Sequence, residues 1–158
     1  MAKFPRRKVP NFFTRAHGKD TYHSGLEKIN QDALRMKGIK YEYESRKIPF
    51  LEPAKARHYT PDFFLPNGII IETKGRFLSK DRQKHLLVRD QHPDLEIRFV
   101  FSRAKAPIYK RSKTTNAMWA EKYGFLWDEK LIPDAWIAEP VNEVWLKAVK
   151  ALKKKGGR

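Results

Sequence analysis

The chain reads as an α/β protein in which helices flank a mixed β-sheet, and three segments predict it. The first is a hairpin. Phe63-Phe64-Leu65 and Ile69-Ile70-Ile71 are apolar, aromatic and β-branched runs on either side of Pro66-Asn67-Gly68. An Asn-Gly step between two such runs is the strongest local signal for a tight strand reversal. The second is a basic helix, opening near Ser79 and closing at His92-Pro93, followed by the strand-like run Leu95-Glu96-Ile97-Arg98-Phe99-Val100-Phe101. A helix and then a strand after a hairpin adds a crossover connection to a reversal, which gives a mixed sheet with helices packed on it. The third is an amphipathic helix over 24–37, where Leu26, Ile29, Ala33, Leu34 and Met36 recur at helical spacing and Gly38 supplies the stop.

The remaining segments fit around this frame. Residues 1–20 carry Lys3, Arg6, Arg7, Lys8, Arg15 and Lys19 without periodicity, and read either as a flexible arm that orders on nucleic acid or as a plain disordered terminus. Residues 21–158 then form a single domain. Ser24-Gly25-Leu26-Glu27 has the capping-box spacing, which accounts for Glu27 without any catalytic role. Ile39-Lys40-Tyr41-Glu42-Tyr43-Glu44 alternates as a half-buried strand does, and Lys47-Ile48-Pro49-Phe50-Leu51 continues extended. Pro49 has no N–H for a central ladder, so this stretch is an edge strand or a bridging segment. Downstream come a basic loop over 103–113, a short helix over 115–123 closed by Gly124, and a helix from about Asn142. Trp127, Trp136 and Trp145 suit core packing better than base stacking.

Composition narrows the partners. The 158 residues suffice for one domain with a real core. Lys and Arg number 34 against 18 Asp and Glu, a net charge of +16 that points to a polyanion, most simply nucleic acid. Cysteine is absent, which removes disulfides, thiolate zinc sites and thiol catalysis. The five histidines lack paired-ligand spacing, and there is no Gly-rich phosphate loop, so neither zinc chemistry nor a nucleotide cofactor is expected. No apolar run approaches a membrane span or a signal peptide, so a soluble cytoplasmic protein is expected.

The hairpin carries the chemistry. Folding it sets Asp62, in Tyr59-Thr60-Pro61-Asp62, beside Glu72, in Ile71-Glu72-Thr73-Lys74, with Lys74 two residues on and hence on the same strand face. A hard cation such as Mg²⁺ prefers carboxylate and carbonyl oxygens, which suits Asp62, Glu72 and the Thr73 carbonyl. Such a cation activates water and neutralises phosphate charge, while Lys74 steadies the charge of the transition state. The expected reaction is metal-dependent phosphodiester hydrolysis. In a chain this charged, Glu-x-Lys on a strand also arises as a solvated pair, so the motif alone does not decide the matter.

Several blocks resemble one family. They are Ser24-Gly25-Leu26-Glu27, Gly38-Ile39-Lys40-Tyr41-Glu42-Tyr43-Glu44, Tyr59-Thr60-Pro61-Asp62-Phe63, Leu65-Pro66-Asn67-Gly68-Ile69 and Glu72-Thr73-Lys74-Gly75. Lys84-His85-Leu86-Leu87, Gln91-His92-Pro93, Lys130-Leu131-Ile132-Pro133 and Lys155-Gly156-Gly157 extend the same register to the C-terminus. Together they resemble the phage endonuclease I family of Holliday-junction-resolving nucleases, while the N-terminal arm departs from it.

The resemblance implies a restriction-endonuclease-like PD-(D/E)xK core acting as a domain-swapped homodimer. Its substrate would be branched DNA, cut by paired nicks with Mg²⁺ or Mn²⁺, in the cytoplasm of an infected bacterial host. It places Asp62 and Glu72 on the metal with the Thr73 carbonyl, makes Lys74 the catalytic lysine, and gives Glu27 the fourth acidic position, displacing the capping reading. In the family, the helix bearing that Glu comes from one subunit and the other three residues from its partner. The segment over 45–52, around Pro49, matches the exchanged connection, and proline's fixed φ would discourage it from folding back. Phosphate contacts are assigned to Arg6, Arg7 and Lys8 of the arm, to Arg82 and Lys84, and to Arg103, Lys105, Lys110 and Arg111. The competing readings are a less selective nuclease on the same core and a non-catalytic architectural DNA-binding protein.

Overall fold

The computed structural model describes residues 25–52 and 55–154. The arm with Arg6, Arg7 and Lys8, the Ser24 cap and the basic tail beyond Lys154 lie outside the described residues. In chain order the elements are α1 (Gly25–Met36), β1 (Glu42–Tyr43), β2 (Ile48–Glu52), β3 (Lys55–Tyr59), β4 (Phe63–Phe64), β5 (Ile69–Lys74) and α2 (Ser79–Gln91). There follow β6 (Glu96–Phe101), α3 (Asn116–Lys122), β7 (Trp127–Glu129), α4 (Asp134–Ile137) and α5 (Glu143–Ala151).

The central sheet has the order β1-β4-β5-β6-β7. The β1–β4 and β4–β5 pairs are antiparallel, whereas β5–β6 and β6–β7 are parallel, with α2 and α3 as the connections between the parallel strands. The mixed sheet with flanking helices is therefore present as expected. Gly68 makes the hairpin turn at φ +94°, and the turn closes with Asn67 Oδ1 accepting the Ile69 N–H.

Alternation along β5 sorts the core into layers. Ile69 and Ile71 face a cluster with Leu34 of α1, Phe63 and Ile132, whereas Ile70 faces Phe64, Val88 of α2, Ile97 and Val149 of α5. A third cluster, centred on Phe77, Phe99, Phe101 and Trp119, fills the space under α3. Glu72 and Lys74 share the parity of Ile70, so β5 directs both toward the α2 side of the sheet. Trp127, Trp136 and Trp145 are half-buried, whereas Trp119 is buried. Trp136 and Trp145 lie 5.3 and 5.7 Å from the buried Arg98 guanidinium, which is paired with Glu139 at 2.6 and 2.9 Å.

Two of three local expectations need correction. The strand expected over 39–44 is only Glu42–Tyr43, because its partner β4 offers just Phe63 and Phe64 before the turn. The stretch around Pro49 is extended and forms an edge strand, as expected: β2 pairs antiparallel with β3, Pro49 opposite His58, in a two-stranded sheet of its own. There the missing proline N–H interrupts no long ladder. The apolar stripe of α1 does not all face the core. Its buried positions are Glu27, Asn30, Gln31 and Leu34, whereas Ile29 is 50% and Met36 89% exposed. The inward polar face is held by hydrogen bonds: Asn30 bonds the Lys130 carbonyl and the Ile132 N–H, and Glu27 accepts the Tyr43 hydroxyl.

Candidate metal centre

Register builds the site first. Phe63 pairs with Ile71, so Asp62 falls opposite Glu72 one step further along the hairpin. The Asp62 carboxylate is locked there. Its Oδ2 accepts both the Thr73 N–H and the Thr73 hydroxyl at 2.7 Å. On the other side of β4, Tyr43 pairs with Phe63, and the Glu44 N–H donates to the Asp62 carbonyl at 3.1 Å. Glu44 therefore arrives beside Asp62, with the left-handed backbone φ of +43° that an L-residue rarely adopts.

α1 brings the last carboxylate. Glu27 is buried and accepts the Tyr43 hydroxyl through Oε2 at 2.6 Å. Carboxylate oxygens of Glu27, Glu44 and Asp62 all lie within 4.8 Å of one another. Three oxygen donors at that spacing are a hard-cation donor set.

Glu72 lies deeper, 3% exposed, and its two oxygens differ. Oε1 takes the Lys74 ammonium at 2.8 Å, with the His85 Nε2 at 3.6 Å, whereas Oε2 is buried without a hydrogen-bond partner among the described residues. An anionic oxygen left unpaired in the interior is costly unless a cation or donor meets it, so the residues present fit a divalent ion. Lys74 also lies 3.7 Å from Asp81 of α2.

The electrostatics divide the two central carboxylates. Burial, and then the Glu72 charge, push the Asp62 pKa up to about 8 against the opposing Thr73 hydrogen bonds. For Glu72, burial also acts upward, but the Lys74 charge and the His85 contact outweigh it and hold the pKa at about 2. Burial acts to lower the Lys74 pKa, yet Glu72 raises it overall, so the ammonium stays charged. Without a metal the raised pKa favours the protonated form of Asp62 near neutral pH, and a cation would take that proton's place.

A sequence model of the phage endonuclease I family matches residues 10–156. The chain belongs to the phage endonuclease I family. It is 50% identical over 137 residues to a protein named Endonuclease I from Escherichia phage T7, covering 87% of this chain and 90% of that one. It is likewise 50% identical over 138 residues to Endodeoxyribonuclease 1 of Enterobacteria phage T3, covering 85% and 91%. The family match starts at residue 10, within the N-terminal arm expected to depart from the family.

Of the expected site residues, Glu27, Asp62, Glu72, Thr73 and Lys74 are brought together within one chain, Thr73 through its N–H and hydroxyl. Lys84 stands at the same site, 4.4 Å from the Tyr59 ring centroid and 3.8 Å from Asp81. Arg82 turns inward, donating to the carbonyls of Phe77 at 2.5 Å and Ile108 at 3.1 Å, and so ties the 103–113 loop to the start of α2. Arg103, Lys105, Lys110 and Arg111 of that loop are all exposed. Sequence reasoning did not reach Glu44, Tyr43 and His85. For Glu44 the signal was available, since the alternation of 39–44 brings its backbone alongside Asp62 once β1 pairs with β4. Nothing in the sequence marks His85 as buried.

Proposed function

We propose that this protein is a metal-dependent endodeoxyribonuclease that resolves four-way and other branched DNA junctions by paired nicks. The observation that carries the reading is the gathering of Asp62 with Glu27 and Glu44, and of Glu72 with Lys74, at the open end of the β4–β5 hairpin, in a chain half identical to phage proteins named as endonucleases. Asp62 and Glu72, with Glu27 and Glu44 beside them, would hold Mg²⁺ or Mn²⁺. Such an ion, when bound, supplies Lewis-acid stabilisation of phosphate charge and lowers the pKa of water.

The chain's own groups do the rest. The Thr73 N–H and hydroxyl fix the Asp62 carboxylate in one rotamer. The Tyr43 hydroxyl does the same for Glu27. Lys74, held charged by Glu72, is the cation placed to stabilise the developing negative charge of the reacting phosphate. Lys84 and the exposed loop cations Arg103, Lys105, Lys110 and Arg111 would contact phosphates and set position, since a junction is recognised by shape and not by base sequence. The arm cations Arg6, Arg7 and Lys8 join them in this reading.

A homodimer suits the task, because a two-fold enzyme can set one site on each of two strands. The exposed Ile29 and Met36 of α1 and Leu51 of β2 are apolar surface that a second copy would cover. In the dimer the link near 45–52 would exchange α1 between subunits, so that each site takes Glu27 from its partner.

The deciding experiment is Mg²⁺-dependent cleavage of a plasmid with a supercoil-extruded cruciform beside a matched plasmid without one. Linearisation confined to the cruciform is the expected result. Equal nicking of both plasmids would leave a nuclease without junction preference, and tight binding without cleavage would leave an architectural protein.

A further inference from the structure

Among the described residues His85 is the most completely enclosed titratable group near the site, with no solvent exposure, and neither ring nitrogen has a hydrogen-bond partner there. Its ring is gripped edge-on by Phe99 at 4.8 Å and Tyr59 at 5.2 Å, with Phe77 at 6.4 Å. Phe99 is the register partner of Glu72 on the neighbouring strand, so the cage that fixes the imidazole belongs to the strand pair that fixes the carboxylate. Aromatic walls of this kind leave the ring little freedom except toward Glu72.

The geometry exposes a conflict at Glu72. Lys74 sits on Oε1 at 2.8 Å, and the His85 Nε2 waits at 3.6 Å from the same oxygen, just beyond hydrogen-bond length. The Lys74 ammonium has three N–H donors, and the one it gives to Glu72 is withheld from a reacting phosphate. If it left without a replacement, Oε1 would join Oε2 as a buried, unpaired acceptor.

We propose that His85 is a positioning residue for Glu72: as the Nε2–H tautomer it donates to Oε1, aims Oε2 at the cation, and releases Lys74 for the phosphate. This rests on the metal-centre reading given above. A closure of a few tenths of an ångström makes the hydrogen bond, in keeping with the tightening of long contacts when a site fills. Ligating carboxylates are themselves normally hydrogen-bonded, and losing that support typically costs 10- to 100-fold in metal affinity. His85 touches neither substrate nor cation and acts only through Glu72.

The test is Mn²⁺ titration calorimetry on the full chain, without DNA, for the native protein, His85→Phe and His85→Gln. Native protein should bind, His85→Phe should bind about tenfold or more weakly, and His85→Gln should recover most of the loss through its amide N–H. Single-turnover cleavage should fall in the same order, with junction affinity unchanged. Equal Mn²⁺ affinity in native protein and a folded His85→Phe would overturn the proposal. So would loss in His85→Gln as deep as in His85→Phe. The native protein gives a second readout that no folding defect can spoil: imidazole ¹⁵N shifts should report Nε2 protonated and Nδ1 bare, and the opposite tautomer would refute the assignment. Failure of the native protein to bind Mn²⁺ at all would instead remove the metal-centre reading, and the His85 role with it.

Discussion

Asn30 and Ile132 are joined by a hydrogen bond across 102 positions of sequence, the Ile132 N–H donating to Asn30 Oδ1 at 2.8 Å. The Asn30 amide donates in turn to the Lys130 carbonyl at 2.9 Å and the Leu26 carbonyl at 3.0 Å, and the side chain is fully buried. One polar residue thus holds α1, and with it Glu27, against the loop that follows β7. Its position three residues after Glu27 puts both on the same helix face.

Asn30→Ala should destabilise the protein by about 2 kcal/mol or more, since it leaves the Ile132 N–H and the Lys130 carbonyl without their partner. Urea unfolding followed by tryptophan fluorescence should show a lower midpoint at unchanged slope. A midpoint within error of native would mean that α1 is held by other contacts.

Asp62→Asn should abolish cleavage while leaving junction binding intact, as should Glu72→Gln. It should also change the pH dependence of stability. The folded-state pKa of Asp62 is raised to about 8 from an ordinary 3.8, so between those values the folded protein keeps a proton that the unfolded chain has released. Stability of the metal-free protein therefore falls as pH rises through that window. Melting in chelator at about pH 5 and again at about pH 8 should show the native protein losing more than Asp62→Asn.

Metal affinity should rise with pH up to about 8, because a divalent cation displaces the Asp62 proton. Below that value the slope should approach tenfold per pH unit, roughly the limit for one proton released. Calorimetry in buffers of different ionisation enthalpy measures the proton count. A count of zero near neutrality would contradict the raised pKa.

Lys74→Ala should fold, bind DNA and bind metal, yet slow the chemical step. It also removes the charge that holds the Glu72 pKa at about 2. The stability that Glu72 contributes is present above its ordinary 4.5 and is lost as pH falls toward 2. With Lys74 gone the folded pKa rises and this contribution shrinks, so acid unfolding should begin at higher pH than in the native protein. Full single-turnover activity in Lys74→Ala would return Lys74 to the role of a surface charge.

The sequence by itself determined the hairpin, the mixed sheet and the pairing of Asp62 with Glu72 and Lys74. These follow from local rules: an Asn-Gly turn between β-branched runs fixes register, and register two residues at a time fixes which side chains share a face. It also exposed the basic 103–113 loop and the family resemblance. The tertiary structure alone decided that α1 turns Glu27, Asn30 and Gln31 inward and Ile29 and Met36 outward, against the apolar pattern of the helix. Helical periodicity marks an apolar stripe but cannot say whether a site competes for the other face. Only tertiary packing set Glu44 beside Asp62, closed Phe99 and Tyr59 around His85, and left one oxygen of Glu72 buried and unpaired. Those relationships join segments far apart in the chain, and local propensity carries no information about which distant groups will share a desolvated space.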